Sequence, residues 1–176
     1  MSMSPRQLLL KAYYERLHER LETDRESVAA RIDELLPAEI AKQGFRDIDA
    51  DKLAAYREAC TAFIDERLES YNPVGIQYTF DRAASREVAE LEFQLNWYNS
   101  RPEFKALVAA VRARAGAGVT DEALPELADE LIRQVGAFPD RSIITAYTQE
   151  PALQKLPDYL VACAIEEIVC GRQPTD

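Results

Sequence analysis

The chain predicts an all-α protein, a single-domain helical bundle of six to eight helices with short loops. Three observations predict it. Apolar residues recur at the 3.6-residue period of a helix, and no stretch keeps the two-residue alternation of a strand over a convincing length. Signals that start and stop helices alternate along the chain. The 176 residues are 47% apolar and 30% charged, with no low-complexity run or repeat, a composition that suits one core burying about two thirds of the unfolded surface. Residues 1–176 are read as one domain, with 1–3 and 173–176 as flexible tips.

The first helix opens on Ser4, Pro5 and Gln7, a hydroxyl cap, a proline at the first helical position and a residue that can close a capping box. Leu10, Tyr14, Leu17 and Leu21 then share a face, and the helix should end near Glu22. Thr23 and Glu26 form a second capping box, and Val28, Ile32 and Leu35 carry that helix until Pro37 stops or kinks it. A short piece, AEIAKQ, leads to Gly44 as a glycine cap followed by Phe45. The clearest helix spans 50–70, with Asp49 as N-cap and Leu53, Tyr56, Cys60, Phe63, Ile64 and Leu68 on its apolar side.

Asn72, Pro73 and Gly75 interrupt the pattern, and a fourth helix is expected from Asp81 or Ser85 to about Tyr98. Ser100 and Glu103 form a third capping box around Pro102, and Phe104, Leu107, Val108 and Val111 face inward until the glycines at 116 and 118. Thr120 to Val135 is amphipathic, its regular part beginning near Pro125, and it closes on Gly136, Phe138 and Pro139. One or two short helices split by Pro151 follow. Pro157 opens the last helix, apolar on nearly every side up to Cys170 and Gly171, which places it either at the centre of the bundle or in an oligomer interface.

Charge narrows the function classes. The net charge is −10, and residues 120–176 alone hold four Lys/Arg against eleven Asp/Glu. Phosphate backbones are bound by concentrated Lys and Arg, so nucleic acid is not an expected partner. No apolar run approaches the ~20 residues of a membrane span and the N-terminal residues carry no apolar h-region, so a cytoplasmic protein with no membrane contact is expected. Arg outnumbers Lys 16 to 5 and there are 26 alanines, a compositional habit of GC-rich bacteria. Cys60, Cys163 and Cys170 lack redox or zinc spacing and read as reduced core residues.

No catalytic or cofactor signature is complete, so cofactors are expected to be none and catalysis is not the leading reading. Glu15 and His18 make one E-x-x-H pair, whereas a di-iron bundle needs two such pairs and this chain has one histidine. They stand as weak metal candidates beside the plainer reading of a boundary histidine. Glu87 with Glu90 and Glu126 with Asp129 have the spacing of magnesium ligands, but each pair points away from its helix's apolar stripe.

The densest aromatic stretch, 71–104, holds seven of the fifteen aromatic residues, including Trp97, the single tryptophan. Within it Glu92 and Asn96 lie one turn apart between two apolar groups of the expected helix. Polar groups so placed are either paired with a neighbouring helix or line a pocket. The pocket would be walled by Phe93 and Trp97 with Tyr71 and Tyr78 at its mouth, and would take a small apolar or aromatic ligand. The leading expectation is a bacterial binding or regulatory protein that meets a protein partner or itself as a homodimer, with the pocket protein or enzyme as the alternative. An acidic mimic of nucleic acid ranks last, because the carboxylates alternate with a conventional buried stripe.

Overall fold

The structure is a computed structural model and describes residues 5–71, 101–116 and 118–174, among which there is no strand. The helices are α1 (Pro5–Thr23), α2 (Arg25–Gln43), α3 (Ala50–Ser70), α4 (Pro102–Ala115), α5 (Leu124–Val135), α6 (Asp140–Gln149) and α7 (Leu156–Ala164). A 3₁₀ turn at Leu153–Lys155 leads into α7, and a π-helical stretch at Ile165–Val169 continues it. The fold class is therefore all-α, as the periodicity implies.

Local chemistry accounts for most boundaries. Asp49 caps α3 by accepting a hydrogen bond from the Lys52 amide at 2.9 Å. Gly44 adopts φ 70° after α2, and the amides of Gly44 and Phe45 donate to the carbonyls of Ala41 and Ile40. This is a Schellman ending, and the left-handed φ explains glycine there. Pro125 lies in the first turn of α5 and Pro157 in that of α7, where a missing amide costs nothing.

Two expected boundaries differ. The Thr23–Glu26 capping box does not form: Thr23 is the last residue of α1, and backbone bonds cross the corner, Asp24 N–H to Arg20 and Val28 N–H to Asp24. Amides already satisfied by carbonyls need no hydroxyl cap. Pro37 does not end α2, which runs through it to Gln43 and absorbs the piece expected to be separate. Pro37 is exposed, while Val28, Ile32 and Leu36 on the opposite side are buried, so packing outweighs the lost bond. Pro102 begins α4 where expected; Glu103 of the third expected box accepts hydrogen bonds from Ser142 at 2.9 Å and Thr145 at 2.8 Å, and Ser100 lies outside the described residues.

Packing divides the bundle into two groups. α1 lies against α5 and α4, while α7 is surrounded by α3, α6 and α2. The last helix is thus the centre of the second group, with Leu160 to Ile165 each 4% exposed or less. The π-helical stretch bridges the groups, touching α1, α2 and α6. Ion pairs set the α2–α3 register: Arg25 meets Asp65 and Arg57 meets Asp33 at 3.3 Å, the arrangement of an antiparallel hairpin. No helix among the described residues is long and apolar enough to cross a membrane.

Candidate functional site

Cys60, Ile64, Arg67 and Tyr71 fall four, three and four residues apart, so all four lie on one face of α3. That face is buried, and it carries a guanidinium inward: Arg67 is 3% exposed. Burying a charge is tolerable only when it is paired and hydrogen-bonded. Arg67 Nε donates to Asp140 Oδ1 at 2.6 Å, and its Nη2 donates to Asp158. The Tyr71 hydroxyl donates to the other oxygen of Asp140. Asp140 is the first residue of α6 and Asp158 lies in the first turn of α7, so both carboxylates also meet the positive ends of helix dipoles.

This cluster is closed. Each Asp140 oxygen has a donor, and the arginine joins α3 to α6 and α7. Burial pulls the Arg67 pKa down, but Asp140 and Asp158 more than offset it and hold the value above the ordinary one. Burial first, then Asp140, pushes the Tyr71 phenol well up. Tyr71, expected at the mouth of a pocket, is instead 0% exposed with its hydroxyl committed to Asp140.

A second cluster occupies the other end of the last helix. Tyr159, Cys163, Glu166 and Cys170 repeat the same four, three, four spacing, and Glu166 is 0% exposed within the π-helical stretch. Its Oε1 accepts the Ala137 amide at 2.9 Å. Gly136 beside it has φ 72°, and a Cβ there would stand 2.6 Å from Oε1, so the α5–α6 connection can approach the carboxylate only through a glycine. Tyr13 of α1 secures the same connection, donating to Gly136 O at 2.6 Å and accepting from Phe138 N–H at 3.1 Å.

This cluster is incomplete as a set of pairs. Glu166 Oε2 accepts no hydrogen bond; Arg172 Nε lies 3.7 Å away and Arg141 Nη1 3.9 Å away. Burial raises the Glu166 pKa to about 7, with Ala137 N–H and the two arginines pulling down and Asp140 pushing up.

The cysteines are buried thiols, as expected. Burial raises Cys60 to about 11 and Cys163 to about 12, and holds Cys170 well above its ordinary value, so none is a thiolate near neutrality. The E-x-x-H pair is divided: Glu15 pairs with Lys11 at 3.3 Å, while His18 Nδ1 faces Leu68 O at 2.9 Å and its Nε2 lies 3.3 Å from Glu22. A ring nitrogen on a carbonyl carries the proton, so Nδ1 is not a ligand atom here. Glu126 is exposed, whereas Asp129, expected to face water, is half-buried and receives Arg16 Nε at 2.8 Å, joining α5 to α1. Among the described residues no three acidic, histidine or cysteine side chains gather to hold a metal. Glu92, Asn96, Trp97, Phe93 and Tyr78, with Glu87 and Glu90, lie outside the described residues.

Arg67 and Glu166 escaped the sequence reading, although each stands on a line of apolar residues at helical spacing. Both carry the same signal in the sequence as Glu92 and Asn96, a polar residue set among apolar ones at helical spacing. No known protein family, curated protein or solved structure matches this chain.

Proposed function

We propose that this chain is a bacterial cytoplasmic binding protein that acts through protein–protein contact, a second copy of itself being the first partner to test. The observation that supports this is an apolar end of the α2–α3 hairpin. Ile40, Phe45, Ile48, Leu53 and Tyr56 fall within about two turns of the connection between the helices, and each is only half-buried. The core below them is already filled, since Leu36, Cys60 and Ile64 of the same helices are at most 2% exposed. Apolar side chains gathered at one end of a soluble bundle are the usual raw material of an interface. The buried polar clusters, by contrast, are spent on joining helices to one another.

Light scattering on a size-exclusion column tests the reading. A species of twice 19.9 kDa at micromolar concentration, reduced to 19.9 kDa by Phe45→Asp or Tyr56→Asp with unchanged circular dichroism, is the expected result. A clean 19.9 kDa wild-type species removes self-association, and a dimer indifferent to both substitutions removes this end of the hairpin.

A further inference from the structure

The apolar end of the α2–α3 hairpin is bordered by charges that separate by sign. On the α2 side, residues 42–46 hold Lys42 and Arg46 and no acid, a net +2. On the α3 side, residues 47–52 hold Asp47, Asp49 and Asp51 against Lys52, a net −2. Each of these charged residues is exposed, whereas Phe45, Ile48, Leu53 and Tyr56 among them are half-buried.

The backbone holds these charges in fixed places. Gly44 closes α2 with φ 70°, and Asp47 takes φ 63°, a left-handed conformation that aspartate adopts more readily than most residues. Lys52 ties the connection to α3: its Nζ donates to Asp47 O at 2.8 Å and its amide to Asp49 Oδ1 at 2.9 Å. Farther along the hairpin Arg57 pairs with Asp33 across it at 3.3 Å, whereas at this end Lys42, Arg46, Asp47 and Asp51 form no ion pair among the described residues.

Charge also decides which face of one copy can approach another. The chain carries −10, yet residues 42–52 taken together are neutral, so the whole excess lies elsewhere. Two copies therefore repel least when these ends meet. A two-fold axis in the contact plane can set α2 over α2, which faces cation with cation, or α2 over α3, which faces each +2 with a −2. Only the second is attractive on both sides of the axis.

We propose that a second copy docks end to end on this hairpin about such a two-fold axis. Lys42 and Arg46 of each copy then face Asp47 and Asp51 of the other, around an apolar centre of Phe45, Ile48 and Tyr56. This arrangement rests on the self-association proposed above and adds its orientation, which a charged rim fixes more than it strengthens.

Sedimentation equilibrium of the full chain tests it with two charge variants. Lys42→Glu with Arg46→Glu makes the rim net acidic. Asp47→Asn with Asp51→Lys makes it net cationic, and asparagine keeps the left-handed turn. Each variant alone, with circular dichroism unchanged, should dimerise at least about tenfold more weakly than the wild type, because like charges then face each other on both sides of the axis. Mixed in equal amounts, the two should form a heterodimer at least as tight as the wild-type dimer, a recovery that a folding defect could not produce. A wild-type dimer broken by Phe45→Asp but indifferent to both charge variants overturns the two-fold and leaves self-association standing, as do variants that weaken alone and stay monomeric when mixed. A monomeric wild type, or a dimer indifferent to Phe45→Asp, removes the hairpin end and the two-fold together.

Discussion

A guanidinium 3% exposed beside a carboxylate 0% exposed behaves differently from the surface pairs that decorate the rest of α2 and α3. Arg25–Asp65 and Arg57–Asp33 are solvated and worth a few tenths of a kcal/mol to about 1 kcal/mol at most. Arg67→Met would leave Asp140 with only the Tyr71 hydroxyl, and Asp140→Asn would leave Arg67 leaning on Asp158. Each is expected to destabilise by about 3–5 kcal/mol in urea unfolding, because the loss strands a buried charge. The double variant should cost clearly less than the two singles added, and strict additivity would show that the residues do not act as a pair. The pair was half legible. Its place on the apolar line of α3 could be read from Cys60, Ile64 and Tyr71, but its partner on α6 lies 73 residues away, where no local pattern points.

At the scale of elements, α2 shows how packing overrides a local stop signal. Pro37 has no amide to donate and its ring crowds the carbonyl of Asp33, yet the helix passes through to Gln43. Pro37→Ala restores a hydrogen bond on an exposed face without touching the core. The expected outcome is a stabilised protein, by up to about 3 kcal/mol, visible as a higher Tm. A lower Tm would mean that the proline restrains the chain in a way its exposure does not suggest. Where tertiary contacts do not compete, the local signals hold: Asp49 begins α3 and Gly44 ends α2 at the expected residues.

The whole molecule combines a half-buried carboxylate, Glu103, and a buried one, Glu166, that respond to pH in opposite senses. Burial pushes Glu103 up, but its own amide, the hydroxyls of Thr145 and Ser142, and Arg101 bring it below its ordinary value. A lowered folded-state pKa gives stability that is present above the unfolded value and lost as the pH falls through the folded one. Glu166 is raised from 4.5 to about 7, so the native state keeps a proton that the unfolded chain has released. Its contribution is full below about pH 4.5 and disappears as the pH rises through about 7. Stability should therefore peak on the acid side of neutrality. Urea midpoints at pH 5 and pH 8 should show a loss toward alkaline pH in the wild type that is much reduced in Glu166→Gln. Equal slopes in the two proteins would remove Glu166 from the account.

Apolar spacing and caps were enough to establish an all-α chain, the spans of α3, α5 and the last helix, and three buried thiols, because those properties depend on neighbours within a few residues. Which side of the last helix's alternative holds was settled only by tertiary structure. α2, α3 and α6 enclose it, so its all-round apolar character is used within the chain. Tertiary structure also decided the fate of the polar residues set among apolar ones. Arg67 found Asp140 and Asp158, and Tyr13 found the α5–α6 connection, whereas Glu166 found one amide and two arginines at ion-pair distance. The physical reason is common to all of them. A buried polar group is defined by the partner that satisfies it, and that partner arrives from a distant part of the chain.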